Sequence, residues 1–223
     1  MIRGLLSLAA AALVATACTS PALAEGAVAA PAANVIANEK GLKTAIFAGG
    51  CFWGIEGVFS HVKGVTSAVS GFHGGAASTA HYDQVSDGDT GHAEAVKVTY
   101  DPAVVRYDQL LRIFFAVGAN PTTLNYQGPD HGTQYRSALV PLSAEQNRVA
   151  AAYLAQLKSS GLWKKPIVTR IERAQGFYPA EGYHQDFMLK NPNHGYIRMW
   201  DAPKVAALKR LFPVQYKAGF TAG

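Results

Sequence analysis

Apolar runs alternate with polar stretches from about residue 43 to residue 211 and predict strands and helices in turn. The run 44–48 is apolar apart from its first residue and ends at two glycines, which is typical of a buried strand. Apolar side chains at every third or fourth position of residues 144–157 predict an amphipathic helix. Further strands are predicted at 65–72, 92–100, 137–140 and 167–171, and further helices at 52–62, 107–117, 179–189 and 203–211. Because strands and helices alternate without a regular βαβ repeat, the pattern favours a mixed α/β or α+β domain with helices packed against one sheet.

The first 24 residues have the pattern of a secretory signal peptide. Arg3 supplies the positive charge, residues 5–14 form a short apolar run, and Ala22-Leu23-Ala24 has the small residues of a cleavage site. The pattern predicts export, with the periplasm as destination and a mature chain that begins at residue 25. In a rival interpretation Cys18 carries a lipid and tethers the protein to a membrane, although Leu is expected three residues before such a cysteine and Ala15 stands there.

Residues 25–41 are rich in Ala and Pro and lack apolar periodicity, so they are predicted to be a flexible linker. Residues 42–223 are predicted to form a single domain. The net charge of +5 comes from scattered Lys and Arg side chains, which indicates no nucleic-acid surface. The seven histidines are dispersed and no phosphate-binding loop is present, so no metal and no cofactor is expected. Nothing demands an oligomer, and a monomer is expected.

Cys51 stands in the stretch GGCFWG, where the first predicted strand ends and a helix begins. The free N–H groups and the dipole of a helix N-terminus stabilise a thiolate, so we expect a lowered pKa and a nucleophile. The flanking glycines allow a tight turn that leaves the sulfur uncovered. The alternative is that Cys51 is a small buried apolar residue, which is the usual place of a free cysteine.

Glu94 lies within the strand-like stretch 92–100. By the alternation of a strand it shares a face with Val96 and Val98, which predicts that it points inward. Burial of a carboxyl group raises its pKa and keeps it protonated near neutral pH, the form that a general acid needs. On the solvent face of an edge strand, by contrast, Glu94 would have no such role.

Two more stretches carry candidate chemistry. Residues 127–136 form a polar, glycine-rich loop before a strand, and loops of this kind often carry function. Residues 183–187 lie on a predicted helix and contain His184 and Asp186. A cysteine hydrolase could use these two with Cys51, but residues two apart on a helix point in different directions. A thiol peroxidase and a non-catalytic peptide-binding module also remain open.

Taken together, the four stretches resemble the A-type peptide-methionine sulfoxide reductases, the family that acts on the S epimer. The resemblance rests on GGCFWG at 49–54, Tyr82, TGHAE at 90–94, Asp130 with GTQYRS at 132–137, and YHQD at 183–186. It covers residues 43–196. It implies a two-layer α/β sandwich around a ferredoxin-like core, and an enzyme of oxidative-stress defence that repairs proteins.

The resemblance also implies a role for each residue. Cys51 would attack the sulfoxide sulfur and become a sulfenic acid. Glu94 would protonate the leaving oxygen, and Tyr82 and Tyr135 would donate hydrogen bonds to it. Further residues would bind or orient the substrate: Phe52 and Trp53 around the S-methyl group, Asp130 beside the site, and His184 in support.

Many family members carry further cysteines near the C-terminus that resolve the sulfenic acid as a disulfide. Here residues 191–198 read NPNHGYIR and no cysteine follows. The expected partners are therefore oxidised proteins or peptides as substrates and an external thiol as reductant, either a thioredoxin-like protein, a glutaredoxin-like protein or a small thiol.

Overall fold

The computed structural model describes residues 27–223, so the predicted signal peptide and Cys18 lie outside the described residues. The strands are β1 Lys43–Gly49, β2 Val65–His73, β3 Ala93–Tyr100, β4 Tyr126–Gln127, β5 Asp130–His131, β6 Ser137–Val140, β7 Arg170–Ile171 and β8 Phe177–Pro179. The α-helices are α1 Phe52–Ser60, α2 Tyr82–Ser86, α3 Tyr107–Ile113, α4 Ala144–Ser159, α5 Phe187–Lys190 and α6 Ala202–Leu211. Two single π-helical turns follow α3 and precede α6, at Phe114–Gly118 and Ile197–Asp201.

Six strands form one mixed sheet in the order β7-β6-β1-β3-β2-β8. The β6 and β7 strands pair in parallel, and all other neighbours are antiparallel. The remaining strands, β4 and β5, form a separate two-stranded hairpin beside the sheet. The predicted mixed α/β class, with one sheet and packed helices, is confirmed.

The main core lies between one face of the sheet and the helices. Phe47 of β1 is fully buried there and its ring contacts those of Phe59, Tyr107 and Phe114, with centroids 4.7 to 6.0 Å apart. Apolar burial of this extent is the main favourable contribution to folding. It fixes α1 against the sheet, and with it the loop between β1 and α1.

The prediction of a flexible linker is wrong for residues 27–41. This segment forms no helix or strand, yet it packs along the helices of the core. The Val28 N–H donates to the Ala116 carbonyl at 2.9 Å, and the Tyr153 hydroxyl donates to the Pro31 carbonyl at 2.7 Å. Small alanine side chains need no periodic pattern to pack against a helix surface, so the sequence carried no apolar signal for this contact.

The predicted helix at 179–189 is also wrong. Residues up to Pro179 belong to β8, turns follow, and helix begins only at Phe187. Asp186 has a left-handed backbone with φ of 55°. The Gln185 side-chain amide bonds both the N–H and the carbonyl of Ser70. Such side-chain bonds to the backbone stabilise turns in place of a helix.

In residues 27–223 there is no helix both long enough and apolar enough to cross a membrane.

Candidate active site

Cys51 lies directly before α1, at the end of the central strand β1. Gly50 adopts φ of +87°, and a Cβ there would lie 2.5 Å from Cβ of Gln127. Glycine is therefore required on both steric and backbone grounds. The result is a tight turn that places Cys51 at the helix N-terminus, as the sequence predicts.

The lowered pKa expected for Cys51 is wrong in direction for the substrate-free site. The residue is only 8% exposed, and burial raises the pKa of its thiol well above the usual value. The negative charges of Glu94 and Asp201 raise it further, while Lys204 and the Trp53 N–H lower it. Burial removes the hydration that a charged thiolate needs, and so disfavours the thiolate. This effect on the pKa is larger than the stabilisation that the helix N-terminus gives the thiolate. The resting sulfur is a protonated thiol.

Glu94 is buried in β3 and is 3% exposed. Its Oε2 accepts a hydrogen bond of 2.9 Å from the N–H of Phe52, the residue after Cys51. Burial is the main cause that raises the pKa of Glu94 to about 8. The predicted inward orientation and raised pKa are both confirmed, so the carboxyl group is protonated at neutral pH.

Tyr82, Tyr135 and Asp130 surround this pair. Burial, followed by the charge of Glu94, raises the pKa of both tyrosines, so they are neutral hydroxyl donors. Cys51 also raises both pKa values, which places the two rings within electrostatic reach of the sulfur. Asp130 begins β5 and accepts a hydrogen bond from the Tyr196 hydroxyl, and burial raises its pKa.

The remaining predicted residues form an aromatic cluster at the start of α1. Phe52 is buried, and its ring centroid lies 5.1 Å from that of His184. Trp53 stacks on Phe187 at 3.8 Å and donates its indole N–H to Nδ1 of His184 at 3.1 Å. Since Nδ1 accepts, the neutral imidazole carries its proton on Nε2. His184 therefore holds Trp53 in place, and its ring packs 4.2 Å from that of Tyr82.

A hydrolase triad is not assembled. His184 Nε2 is buried and has no hydrogen-bond partner among residues 27–223, and Nδ1 bonds Trp53 rather than a carboxylate. Asp186 instead accepts the N–H of Gly223 at 3.0 Å and lies 3.4 Å from Lys190. Within residues 27–223 no group of three or more His, Cys, Asp or Glu side chains is placed to hold a metal ion.

Sequence reasoning missed three residues of the site, all from the segment before and within α6. Tyr196 bonds Asp130 and lies 5.9 Å from the Trp53 ring. Asp201 is fully buried, and its Oδ1 accepts from Lys204 Nζ at 3.2 Å. The pair packs against the first turn of α1, where a Cβ on Gly54 would lie 2.1 Å from Asp201 Oδ1. The i,i+3 spacing of Asp201 and Lys204 at the start of a predicted helix was the available signal.

A cavity of about 520 Å³ opens at Cys51, and this volume suits a small-molecule site. Asp130 and Tyr196 line it, whereas Glu94, Tyr82 and Tyr135 do not. Most of the other lining residues come from the turn after α3, the β4–β5 hairpin and the segment around the start of α6, and Lys165 is added from the segment between α4 and β7.

Comparisons with known proteins agree with this geometry. The family model described as peptide methionine sulfoxide reductase matches residues 43–215. Peptide methionine sulfoxide reductase MsrA 2 of Mesorhizobium japonicum is 57% identical over 176 residues, which is 79% of this chain and 90% of that protein. MsrA 2 of Synechocystis is 46% identical over 184 residues, 82% of this chain and 86% of that protein.

Two solved structures are similar as well. Reduced Mxr1 of Saccharomyces cerevisiae has a TM-score of 0.62 and 33% identity, covering 72% of this chain and 92% of that one. Methionine sulfoxide reductase A of Corynebacterium diphtheriae has a TM-score of 0.57 and 31% identity, covering 77% of this chain and 92% of that one. The chain therefore belongs to the A-type peptide methionine sulfoxide reductase family and is a peptide-methionine (S)-S-oxide reductase.

Proposed function

We propose that the chain reduces methionine-S-sulfoxide, in proteins and as the free amino acid, through Cys51 as nucleophile and Glu94 as acid. The observation that carries the proposal is a protonated carboxyl group held by the backbone N–H next to the cysteine, at 2.9 Å. A sulfoxide oxygen is a poor leaving group, so the sulfur becomes electrophilic only when that oxygen is protonated. A positioned acid typically contributes about 10²- to 10⁴-fold to the rate.

In the proposed step Glu94 protonates the sulfoxide oxygen and the sulfur of Cys51 attacks the sulfoxide sulfur. The oxygen passes to Cys51, which becomes a sulfenic acid, and methionine leaves as the thioether. The methionine sulfur gains two electrons and the cysteine sulfur loses two. Once Glu94 has given up its proton, its carboxylate is the nearby base that can take the thiol proton of Cys51.

The hydroxyl groups of Tyr82 and Tyr135 hold the oxygen in this scheme. Both are partly buried neutral donors, and a hydrogen bond to a developing charge is stronger there than in bulk water. Asp130, bonded by Tyr196, orients the substrate. A thioether has no oxygen that could accept hydrogen bonds from these donors. Binding of the methionine product would leave the donors unpaired, which disfavours it.

Phe52 and Trp53 hold the S-methyl group, with His184 fixing the indole. The indole N–H bond to His184 and the stacking on Phe187 leave Trp53 one orientation. With the methyl group held on the aromatic side and the oxygen on the Glu94 side, only one configuration of the chiral sulfur fits the site. The scheme therefore predicts the S epimer alone.

Turnover of the two separated epimers of a blocked methionine sulfoxide, with dithiothreitol as reductant, tests the proposal. We expect reduction of the S epimer only, and none by Cys51→Ser. Equal use of both epimers, or activity in Cys51→Ser, contradicts it. Release of an acyl product without reductant would favour the hydrolase, and binding without turnover would favour the peptide-binding module.

Recycling of Cys51 requires an external thiol in this proposal, because the sequence has only Cys18 besides Cys51. A thioredoxin-like protein, a glutaredoxin-like protein and a small thiol are the three candidate classes. The chain is further proposed to be an exported, monomeric, periplasmic protein. A mature N-terminus at Glu25, read by mass spectrometry, is the expected result, and a lipid on Cys18 would contradict it.

The finer fold assignment is also a proposal. The four central strands lie in the order β6-β1-β3-β2 and are antiparallel throughout, with α1 and α3 in the connections. This order supports a ferredoxin-like β-α-β-β-α-β core with helices on one face, a two-layer sandwich.

A further inference from the structure

Asp201 and Lys204 form an ion pair that packs against the first turn of α1, close to Cys51. The Lys204 ammonium group donates to Asp201 Oδ1 at 3.2 Å. A Cβ on Gly54 would lie 2.1 Å from that oxygen and 2.9 Å from the Lys204 nitrogen. Glycine destabilises a helix relative to alanine, so its place in this turn needs a reason. The reason is the close approach of the pair.

The burial of Asp201 is costly. Its side chain is 0% exposed, and Oδ2 has no hydrogen-bond partner in the described part of the chain. The side chain of Lys204 is 20% exposed. A buried ion pair is often no more stable than apolar side chains of the same volume, and less so when its hydrogen bonds are incomplete. An incompletely bonded carboxylate beside the reactive cysteine therefore points to a role in reactivity rather than in stability.

Both members of the pair act on the sulfur of Cys51. Burial is the main cause that raises the pKa of this thiol, and among the charges Glu94 and then Asp201 raise it further, while Lys204 lowers it. Glu94 is itself protonated below its pKa of about 8. Burial raises the pKa of Asp201, and Lys204 opposes that rise by its charge and its hydrogen bond. At neutral pH the carboxylate that acts on the sulfur is therefore that of Asp201.

The other titratable groups around Cys51 are neutral, bonded elsewhere or exposed. Asp130 of β5 is bonded by Tyr196 and is not among the charges that shift the pKa of Cys51 most. Lys165 lines the same cavity but is exposed to solvent, which screens its charge. Three hydroxyl groups have pKa values raised mainly by burial and are uncharged: those of Tyr82, Tyr135 and Tyr196.

We propose that the Asp201–Lys204 pair sets the reactivity of Cys51 between turnovers, with Asp201 restraining formation of the thiolate and Lys204 limiting that restraint. The inference goes beyond the proposed function and rests on it only for the use of Cys51 as a nucleophile. In turnover the restraint is overcome because the carboxylate of Glu94, once it has given up its proton, takes the proton of the thiol.

The restraint protects the cysteine from peroxides while no substrate is bound. In that side reaction the O–O bond of hydrogen peroxide breaks and one oxygen bonds the sulfur of Cys51, which loses two electrons and becomes a sulfenic acid. The other oxygen leaves as water with the thiol proton. Further oxidation to a sulfinic acid is irreversible for most proteins. Because the thiolate is the nucleophile, a resting thiol reacts more slowly.

Asp201→Asn and Lys204→Met test the proposal because they should act in opposite directions. Loss of the carboxylate charge lowers the pKa of Cys51, and loss of the ammonium charge raises it. If the pKa moves by about one, the thiolate population changes about tenfold and its nucleophilicity about threefold the other way. The rate constant for alkylation of Cys51 by iodoacetamide at pH 7, followed by mass spectrometry, should therefore rise about threefold in Asp201→Asn and fall about threefold in Lys204→Met.

Lys209→Met is the matched control, since Lys209 is an exposed lysine of the same helix that does not line the cavity. Its rate should stay within about 1.5-fold of the parent. Lys204→Met leaves a buried carboxylate without its partner, so the double variant Asp201→Asn/Lys204→Met, which carries neither charge, gives a second comparison. It should react more slowly than Asp201→Asn alone. Inactivation by hydrogen peroxide without substrate should follow the same order.

Three results would overturn the proposal. Changes in the same direction in Asp201→Asn and Lys204→Met would show that the pair acts only through the structure. Rates in both that match Lys209→Met would show no effect of the pair, and equal rates in Asp201→Asn and the double variant would remove Lys204. Alkylation needs no sulfoxide, so an inactive parent whose variants still follow the expected order would refute the proposed function and leave the assignment of the pair standing.

Discussion

Two buried glutamates, Glu94 and Glu56, have nearly the same physical state. Glu94 is 3% exposed and Glu56 0%, and burial is the main cause that raises the pKa of each to about 8. Each also accepts a backbone N–H, that of Phe52 at 2.9 Å for Glu94 and that of Asp186 at 3.2 Å for Glu56. Both carboxyl groups are therefore protonated at neutral pH.

Their neighbours differ. Glu94 affects the pKa of Cys51, Tyr82 and Tyr135, so a reactive sulfur and two hydroxyl donors lie within its reach. Glu56 lies on α1 and accepts the N–H of Asp186, where it connects the helix to the chain after β8. The comparison teaches that burial and a raised pKa make an acid available, but the groups beside it decide whether it takes part in chemistry.

The largest expected difference between them is in turnover. Glu94→Gln should lower kcat for methionine-S-sulfoxide by about 10²- to 10⁴-fold, because the amide still accepts the Phe52 N–H but cannot protonate the oxygen. Glu56→Gln is the matched control and should retain the parent rate within about threefold. Steady-state assays with dithiothreitol measure both. Equal losses in the two variants would contradict the assignment of Glu94 as the acid.

In stability the two should instead behave alike. In the folded protein the pKa of each carboxyl group is about 8, against an ordinary value of 4.5. The folded state binds more protons at these two sites in this window, so the stability that each contributes is fully present below pH 4.5 and is lost as pH rises towards 8. Each group contributes a slope of up to about 1.4 kcal/mol per pH unit.

Urea unfolding at several pH values in that window measures the slope. Glu56→Gln and Glu94→Gln should each flatten it by a similar amount, since neither amide titrates. A slope that neither substitution changes would show that these two carboxyl groups are not held neutral in the folded protein.

The smallest effect is expected at His184. In His184→Phe the ring packing on Phe52 and Tyr82 is kept, while the Trp53 indole N–H loses its acceptor. We expect a loss of about 1 kcal/mol in the free energy of unfolding and a rise of a few-fold in KM with kcat little changed. A collapse of kcat comparable to that of Glu94→Gln would make His184 a member of the reacting group rather than a support for Trp53.

Sequence reasoning succeeded where local geometry alone decides the answer. The alternation of a strand placed Glu94 with Val96 and Val98 on the inward face, and the glycines before Cys51 placed it at a strand-to-helix turn. Most predicted strands and helices were confirmed within a few residues for the same reason, since their apolar periods match the faces that they bury.

The failures came from contacts distant in sequence. The pKa of Cys51 depends on how completely other segments cover the sulfur, which the position before a helix does not reveal. Residues 179–189 have a helical spacing, but the bonds of Gln185 to Ser70 favour turns. Tyr196 and Lys204 reach the site only because the segment before α6 folds back over α1, and the sequence of that segment stood out only for its missing cysteine.

The central claim is that Cys51 takes the oxygen of methionine-S-sulfoxide in one step that needs no other thiol. A single turnover of the reduced protein with the S epimer, without reductant and with a dimedone-type probe, tests it most directly by mass spectrometry. The account predicts one methionine per chain and one probe molecule on Cys51. Methionine formed without label on Cys51, or a disulfide between Cys51 and Cys18 in its place, would contradict it.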